Sequence, residues 1–398
     1  MGFVVVGAGL AGHRAAIELR KLVPAADIVL LGEEPGLPYD RPPLSKAFLV
    51  APEAPAPMLG DANRYSELGI DYRPETRAVA IDRTGKTVRT EAGQAIPYER
   101  LLLATGSRVR TLAPELVGDA PVHVLRTLAD AERLRAELTA GRRVTVIGGG
   151  LIGLEIAAAA RMKGCVVTVV ERERRLLSRG LPASVGDWVC KLHQRQGANI
   201  MLPAEITSIR RADDGIDIGV GGTRHMTDVV VLGIGITPNC ELAASAGLDV
   251  DDGIRVDRSC RTSDPNIFAA GEVTAHPIAG IGPQRRIESW KVASEQAVIA
   301  ARAMAGDEAT FEEIPWFWSD QYDVNIQALG QPDAGDRQII CGEIDGARWT
   351  LIGLDDCDRP VGAVAINNGR HISQLRRAMR LGQPVPVELM RDAASVPS

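Results

Sequence analysis

Residues 144–155 read VTVIGGGLIGLE, and residues 4–16 read VVVGAGLAGHRAA. Each is an apolar run, then G-x-G-x-x-G, then a helix-like stretch. The first glycine permits a tight turn, the second lets backbone amides approach a pyrophosphate, and the third lets helix and strand pack closely. A helix N-terminus beyond such a loop presents free N–H groups and a favourable dipole to phosphate. Working outward, GAGLAG is followed by AAIELRKLV and the strand-like DIVLLGEE, which ends near Glu33. GGGLIG is followed by LEIAAAARMKG and VVTVVERE, where Glu171 closes the strand. Strand, loop, helix, strand and terminal acid together mark a dinucleotide site, and this chain carries the pattern twice. Gly7, Gly9 and Gly12 belong to the first site, and Gly148, Gly150 and Gly153 to the second.

The chain has 398 residues, enough for two or three domains, with 45% hydrophobic and 24% charged residues. A formal net charge of −6 argues against a general nucleic-acid binder. No apolar run is long enough to span a bilayer, and the sequence starts directly with the strand-like FVVVG, so a cytoplasmic protein without membrane partners is expected. The six cysteines, Cys165, Cys190, Cys240, Cys260, Cys341 and Cys357, contain no CxxC pair. The six histidines form no ligand-like cluster, so no metal site is expected and the histidines read as structural or surface groups.

The expected fold is α/β, with two Rossmann-like dinucleotide-binding domains of the glutathione-reductase type plus a C-terminal α+β domain. Residues 1–113 and 236–312 make a discontinuous first domain, closed by the strand-like IFAAGE and the helix SWKVASEQAVIAARAMAG. Residues 114–235 make the inserted second domain. From 313 the short apolar stretches NIQALG, RQIICGEI, RWTLIGL and GAVAINN predict a small antiparallel sheet. The basic helix HISQLRRAMRLG closes it.

Several stretches occur together in order: GLPYDRPPLSK (36–46), LLLATGS (101–107), LRTLADA (125–131), GGGLIGLE (148–155), TSDPNIFAAGE (262–272), RIESW (286–290) and PWFWSDQY (315–322). On these the chain resembles the FAD-dependent, NADH-linked ferredoxin reductases that feed Rieske dioxygenases and haem monooxygenases. The resemblance implies tightly bound, non-covalent FAD and NADH as substrate. It assigns Gly7, Gly9, Ala11 and Gly12 to the FAD pyrophosphate and Glu33 to its ribose. Arg41 and Lys46 would contact FAD, Lys46 near flavin N5. Ala78 would touch the adenine end, Thr105 and Gly106 the FAD, Arg126 the pyrophosphate and Glu272 the ribityl chain. Backbone around Trp290 and Trp318 would meet the isoalloxazine. Gly148, Gly150, Gly153, Glu155, Glu171 and Gly235 fall to the nicotinamide cofactor. The family usually has Gly-Asp where this chain has Gly271-Glu272, so one methylene is added at the ribityl contact.

An acid at Glu171 favours NADH over NADPH, whereas Arg172, Arg174 and Arg175 beside it would suit a 2′-phosphate. Lys46 and Glu155 are the expected catalytic pair, an ion pair where hydride moves from nicotinamide to flavin. The partner implied is a 2Fe–2S ferredoxin, docked transiently by charge to a monomer or weak dimer. Arg285/Arg286 and Arg376/Arg377/Arg380 are the clusters available to steer it. Flavin disulfide reductases, NADH oxidases and rubredoxin reductases share both loops. The thiol-dependent among them need a cysteine against the flavin, and no cysteine precedes Cys165. An apoptosis-inducing-factor type redox sensor would be expected to carry a strongly basic surface or long insertions.

Overall fold

The computed structural model describes residues 2–278, 282–391 and 393–395. The chain divides into two compact units. One comprises Met1–Asp40, Pro57–Arg108 and Thr237–Pro315, the other Arg41–Ala56, Val109–Ile236 and Trp316–Ser398. Both contain the strand–loop–helix repeat, and the second also contains the C-terminal sheet.

In the first unit five parallel strands run in the order Ile267–Ala269, Arg100–Leu103, Gly2–Val6, Asp27–Leu31 and Ile70–Arg73. The near-continuous apolar sequences of the inner strands Arg100–Leu103, Gly2–Val6 and Asp27–Leu31 follow from cover on both faces, because a parallel sheet leaves no wet side for polar residues. Helix Leu10–Leu22 packs on helix Trp290–Ala305 through Ala11, Ala15, Ala16, Ala297, Ala300 and Ala301, small side chains that let the two backbones approach. Ser289 caps the second of these, accepting a hydrogen bond from the Val292 N–H, and left-handed Gly306 ends it. The segment after 253 therefore returns to complete the first sheet, as its apolar pattern predicts.

The second unit repeats the plan with parallel strands in the order Asn199–Met201, Val166–Val170, Arg143–Ile147, Val229–Leu232 and His123–Val124. Helix Leu151–Met162 buries Ala157, Ala158, Ala159 and Ala160. The Pro-rich stretch supplies the turn Pro42–Ser45 and the short helix Ala47–Val50, which packs on helices Leu128–Glu137 and Leu151–Met162. There Arg135 lies over the Phe48 ring at 4.1 Å.

The C-terminal part is a six-stranded antiparallel sheet with Trp316–Gln321 at one edge, followed by Val324–Gly330, Pro360–Ile366, Trp349–Leu354, Arg337–Gly342 and Ala393–Ser395. Helix Gly369–Leu381 packs against strand Pro360–Ile366 through Ile372, Leu375 and Ala378.

Burial removes three histidines from ordinary titration. Desolvation lowers His13 and His276 to about 4, and it lowers His193 as well. At His13 and His276 the unfolded chain takes up protons near pH 6.5 while the folded chain does not until about 4, so stability falls as pH drops across that window, and His193 acts in the same direction. Each site contributes a slope of up to ~1.4 kcal/mol per pH unit. Urea midpoints should fall steadily across this window and fall less steeply in His276→Asn; parallel curves would refute the assignment.

Candidate functional site

The two glycine loops have the same internal geometry. Gly7 has φ of 103°, and a Cβ there would lie 2.2 Å from the Ala104 carbonyl oxygen; Gly148 has φ of 112°, with the Gly233 carbonyl oxygen at 2.4 Å. Neither position accepts a side chain. A Cβ on Gly12 would lie 1.8 Å from the Gly7 oxygen, and one on Gly153 would lie 2.2 Å from the Gly148 oxygen. The middle glycines differ in kind. A Cβ on Gly9 would meet nothing within 4 Å, and one on Gly150 would meet only the Gly233 oxygen at 3.9 Å. Packing does not require glycine at these two places, whereas a pyrophosphate drawn close to the backbone does. Both cradles therefore fit a dinucleotide.

Around the first loop, Glu33 follows strand Asp27–Leu31 and lies 3.4 Å from Arg77, with both side chains exposed. Ala78 begins the strand Ala78–Asp82. Thr105 and Gly106 are fixed by Asn239: the Thr105 hydroxyl donates to the Asn239 carbonyl at 2.8 Å, and the Asn239 N–H donates to the Gly106 carbonyl at 2.9 Å. Glu272 accepts from the Ser107 hydroxyl at 2.8 Å, so its longer side chain already has one polar partner. The Trp290 indole donates to Asp40 at 2.7 Å.

In the second unit Arg41 donates to the Arg126 carbonyl, and the Arg126 N–H is held by Asp130 of a capping box with Thr127. Glu171 turns back onto its own loop, accepting from Gly149 N–H at 2.6 Å and Glu173 N–H at 2.7 Å. Gly235 has φ of 102° beside the Arg179 guanidinium. Arg175 bonds to backbone carbonyls of Ser178 and Leu181.

Lys46 and Glu155 do meet. The Lys46 ammonium lies 3.0 Å from Glu155 Oε1, with only 2% of the glutamate side chain and 15% of the lysine side chain exposed. Ser45 donates to Glu155 Oε2, and Ser319 donates to Oε1 at 2.6 Å. The ammonium also lies 5.7 Å from the Trp318 ring centroid, and Trp318 stacks on Trp316 at 5.3 Å. Neither serine was expected, although each sits inside a quoted motif, RPPLSK and PWFWSDQY. The signal available was position: Ser45 precedes the lysine, and Ser319 falls on the strand face opposite Trp318.

The thiols offer no alternative redox centre in the first unit. Burial pushes Cys240 up to about 11 and raises Cys260 further, which suppresses the reactive thiolate. In the first basic cluster Arg286 pairs with Asp252 and Glu288 with 8% of its side chain exposed, and Arg285 is exposed; in the second, Arg377 and Arg380 are exposed on helix Gly369–Leu381.

Residues 1–297 match the family model of pyridine nucleotide-disulphide oxidoreductases, and residues 316–396 match the reductase C-terminal model. The chain belongs to this family of two-dinucleotide oxidoreductases, in its ferredoxin reductase branch. It is 46% identical over 392 residues, covering 97% of this chain and 96% of the relative, to the ferredoxin–NAD(+) reductase component of the anthranilate 1,2-dioxygenase system of Burkholderia cepacia. It is 37% identical, over 98% of this chain and 92% of the relative, to rhodocoxin reductase of Rhodococcus erythropolis. The solved covalent complex of putidaredoxin reductase with putidaredoxin matches with a TM-score of 0.93 at 35% identity, covering 98% of this chain and 95% of that one. The chain is accordingly an NADH-dependent flavoprotein oxidoreductase that uses FAD.

A buried carboxylate left without its cation is costly. Lys46→Met should destabilise the fold by about 2–4 kcal/mol, and adding Glu155→Gln should recover most of that loss. Urea unfolding of the two single variants and the double variant measures the coupling; simple additivity would show that the pair contributes nothing.

Proposed function

We propose that this chain carries electrons from NADH through FAD to a 2Fe–2S ferredoxin, which supplies a Rieske dioxygenase or haem monooxygenase. The observation that carries the reading is the buried Lys46–Glu155 pair in a chain with two dinucleotide cradles and no reactive thiol in the first unit. The relatives' names support a ferredoxin as acceptor.

In this reading Gly7, Gly9, Ala11, Gly12, Glu33, Arg41, Lys46, Ala78, Thr105, Gly106, Arg126, Glu272, Trp290 and Trp318 hold FAD. Gly148, Gly150, Gly153, Glu155, Glu171 and Gly235 receive NADH. The division into residues 1–113 with 236–312, 114–235 and 313–398 then corresponds to FAD binding, NADH binding and the C-terminal part. FAD, when bound, supplies the conversion of a two-electron hydride into single electrons. The protein provides orientation and charge. Lys46 offers a fixed ammonium where negative charge gathers, and Glu155 keeps that ammonium aimed. Glu171 gives the second site an acid that repels a 2′-phosphate and so favours NADH.

Docking is proposed to be brief and electrostatic, on a monomer or weak dimer. Arg377 and Arg380 are exposed on helix Gly369–Leu381, and Arg376 on the same helix lies 5.0 Å from the Trp316 ring centroid. That arrangement suits a small acidic partner, where steering charge raises the association rate and salt weakens it.

The test couples NADH oxidation to cytochrome c through a 2Fe–2S ferredoxin. Arg377→Glu with Arg380→Glu should lower kcat/KM for the ferredoxin by about tenfold or more while NADH–ferricyanide turnover is unchanged. The wild-type coupled rate should fall with ionic strength. Insensitivity to both salt and charge reversal would overturn the docking patch, and failure of every 2Fe–2S ferredoxin to accept electrons would overturn the function.

A further inference from the structure

The Ser319 hydroxyl does not end the hydrogen bonding that starts at Glu155. Gln321 Nε2 donates to Ser319 Oγ at 3.0 Å, Gln321 Oε1 faces His193 Nε2 at 2.9 Å, and His193 Nδ1 faces the Tyr322 hydroxyl at 3.1 Å. Glu155 is 3% exposed, and His193, Ser319 and Gln321 are fully buried at 0%. We propose that Ser319, Gln321 and His193 are positioning residues, which lock the Glu155 carboxylate in one orientation and so aim the Lys46 ammonium. The proposal rests on the electron-transfer reading above, because that reading gives the orientation of Lys46 its use.

Every proton direction in this chain follows from its end. An ionised carboxylate only accepts, so Ser319 must donate to Glu155. Its lone pair then needs a donor, which fixes the Gln321 amide with nitrogen towards the serine and oxygen towards the histidine. His193 must therefore carry its proton on Nε2, and its bare Nδ1 accepts from Tyr322. Burial lowers the His193 pKa and keeps the imidazole neutral, as this pattern requires. The run has one consistent polarity from Tyr322 to Glu155, with each member orienting the next.

Two features argue that this arrangement is more than filling. Ser319 and Gln321 are alternate residues of the edge strand Trp316–Gln321, so one face of that strand sends polar side chains into places where apolar ones bury at less cost. Tyr322 opens the turn to Val324–Gly330 with φ of 58°, in the left-handed region that turns usually give to glycine or asparagine. A bulky residue held there is sustained by its surroundings, and the Tyr322 ring packs edge-on against His193 at 5.2 Å.

The carboxylate needs this help. Its Oε2 is taken by Ser45, while Oε1 is shared by Ser319 and the Lys46 ammonium. The lysine stem is flexible and cannot by itself set the carboxylate plane. The short serine on a rigid strand can.

The experiment uses FAD-loaded protein with 15N-labelled histidine. His193 should appear as a neutral Nε2–H imidazole, protected from exchange between pH 6 and 8, with the protection lost in Gln321→Leu. In anaerobic stopped-flow, Ser319→Ala should slow flavin reduction by NADH about tenfold with NADH affinity changed less than about twofold, and Ser319→Thr should restore it. His193→Phe should cost about threefold, and nothing further in a Glu155→Gln background. A proton on Nδ1, or a doubly protonated His193 at pH 7, overturns the network. Full-rate reduction in Ser319→Ala, Gln321→Leu and His193→Phe overturns the positioning role while leaving the electron-transfer reading intact. If NADH fails to reduce the wild-type flavin, it is the electron-transfer reading that falls.

Discussion

A carboxylate without water is the most expensive group a protein can bury unless charge and hydrogen bonds surround it. Glu155 occupies that position on helix Leu151–Met162, and two distant stretches of chain converge to satisfy it: Ser45 with Lys46, and Ser319. This requirement explains an otherwise odd feature of the topology. Residues 41–56 belong to the second compact unit, although the residues before and after them belong to the first. Lys46 and Ser45 answer Glu155, and Phe48 lies under Arg135. The Pro-rich stretch goes where its charge and its ring are needed.

The two dinucleotide units show what duplication preserves and what it releases. The first and third glycines of both loops are dictated by backbone carbonyls within about 2.5 Å of any added Cβ, and Ala104 and Gly233 supply matching carbonyls from matching strands. Two residues past the third glycine the repeats part. The first has half-exposed Arg14 there, and the second has buried Glu155. The shared constraint makes a phosphate cradle, and the departure carries the chemistry proposed for the second helix.

Much of this was legible in the sequence because it rests on local rules. Strand, glycine loop and helix read directly, since backbone sterics act over a few residues. The alternating stretches after 313 announced an antiparallel sheet for the same reason. The Lys46–Glu155 contact was reached through motif resemblance, because no periodicity links positions so far apart. Ser45, Ser319 and Gln321 carry no such signal, and neither does the link from His193 to them. A serine or glutamine inside a strand looks like a solvent-facing residue until its neighbours are known, and a histidine outside any cluster reads as a structural or surface group. Arg286 shows the limit from the other side: in sequence an arginine pair gives no sign that Asp252 and Glu288 pair with one member.

One fold can run thiol, oxygen or ferredoxin chemistry, so the site must carry the distinction. Here Cys240 and Cys260 are buried and their thiolates are disfavoured, which removes sulfur as an electron store in the first unit. The group offered instead is a fixed ammonium, and it can stabilise accumulated negative charge but cannot hold electrons itself. A flavin beside such a cation would keep no electrons on the protein, which is why the proposed function looks to an external acceptor. The stacked Trp316 and Trp318, with the Lys46 ammonium 5.7 Å from the Trp318 ring centroid and the Arg376 guanidinium 5.0 Å from that of Trp316, join the buried cation to the basic helix Gly369–Leu381. The edge strand thus uses its period of two twice: one face bonds the Glu155 carboxylate through Ser319, and the other stacks Trp316 and Trp318 between the Lys46 ammonium and the Arg376 guanidinium.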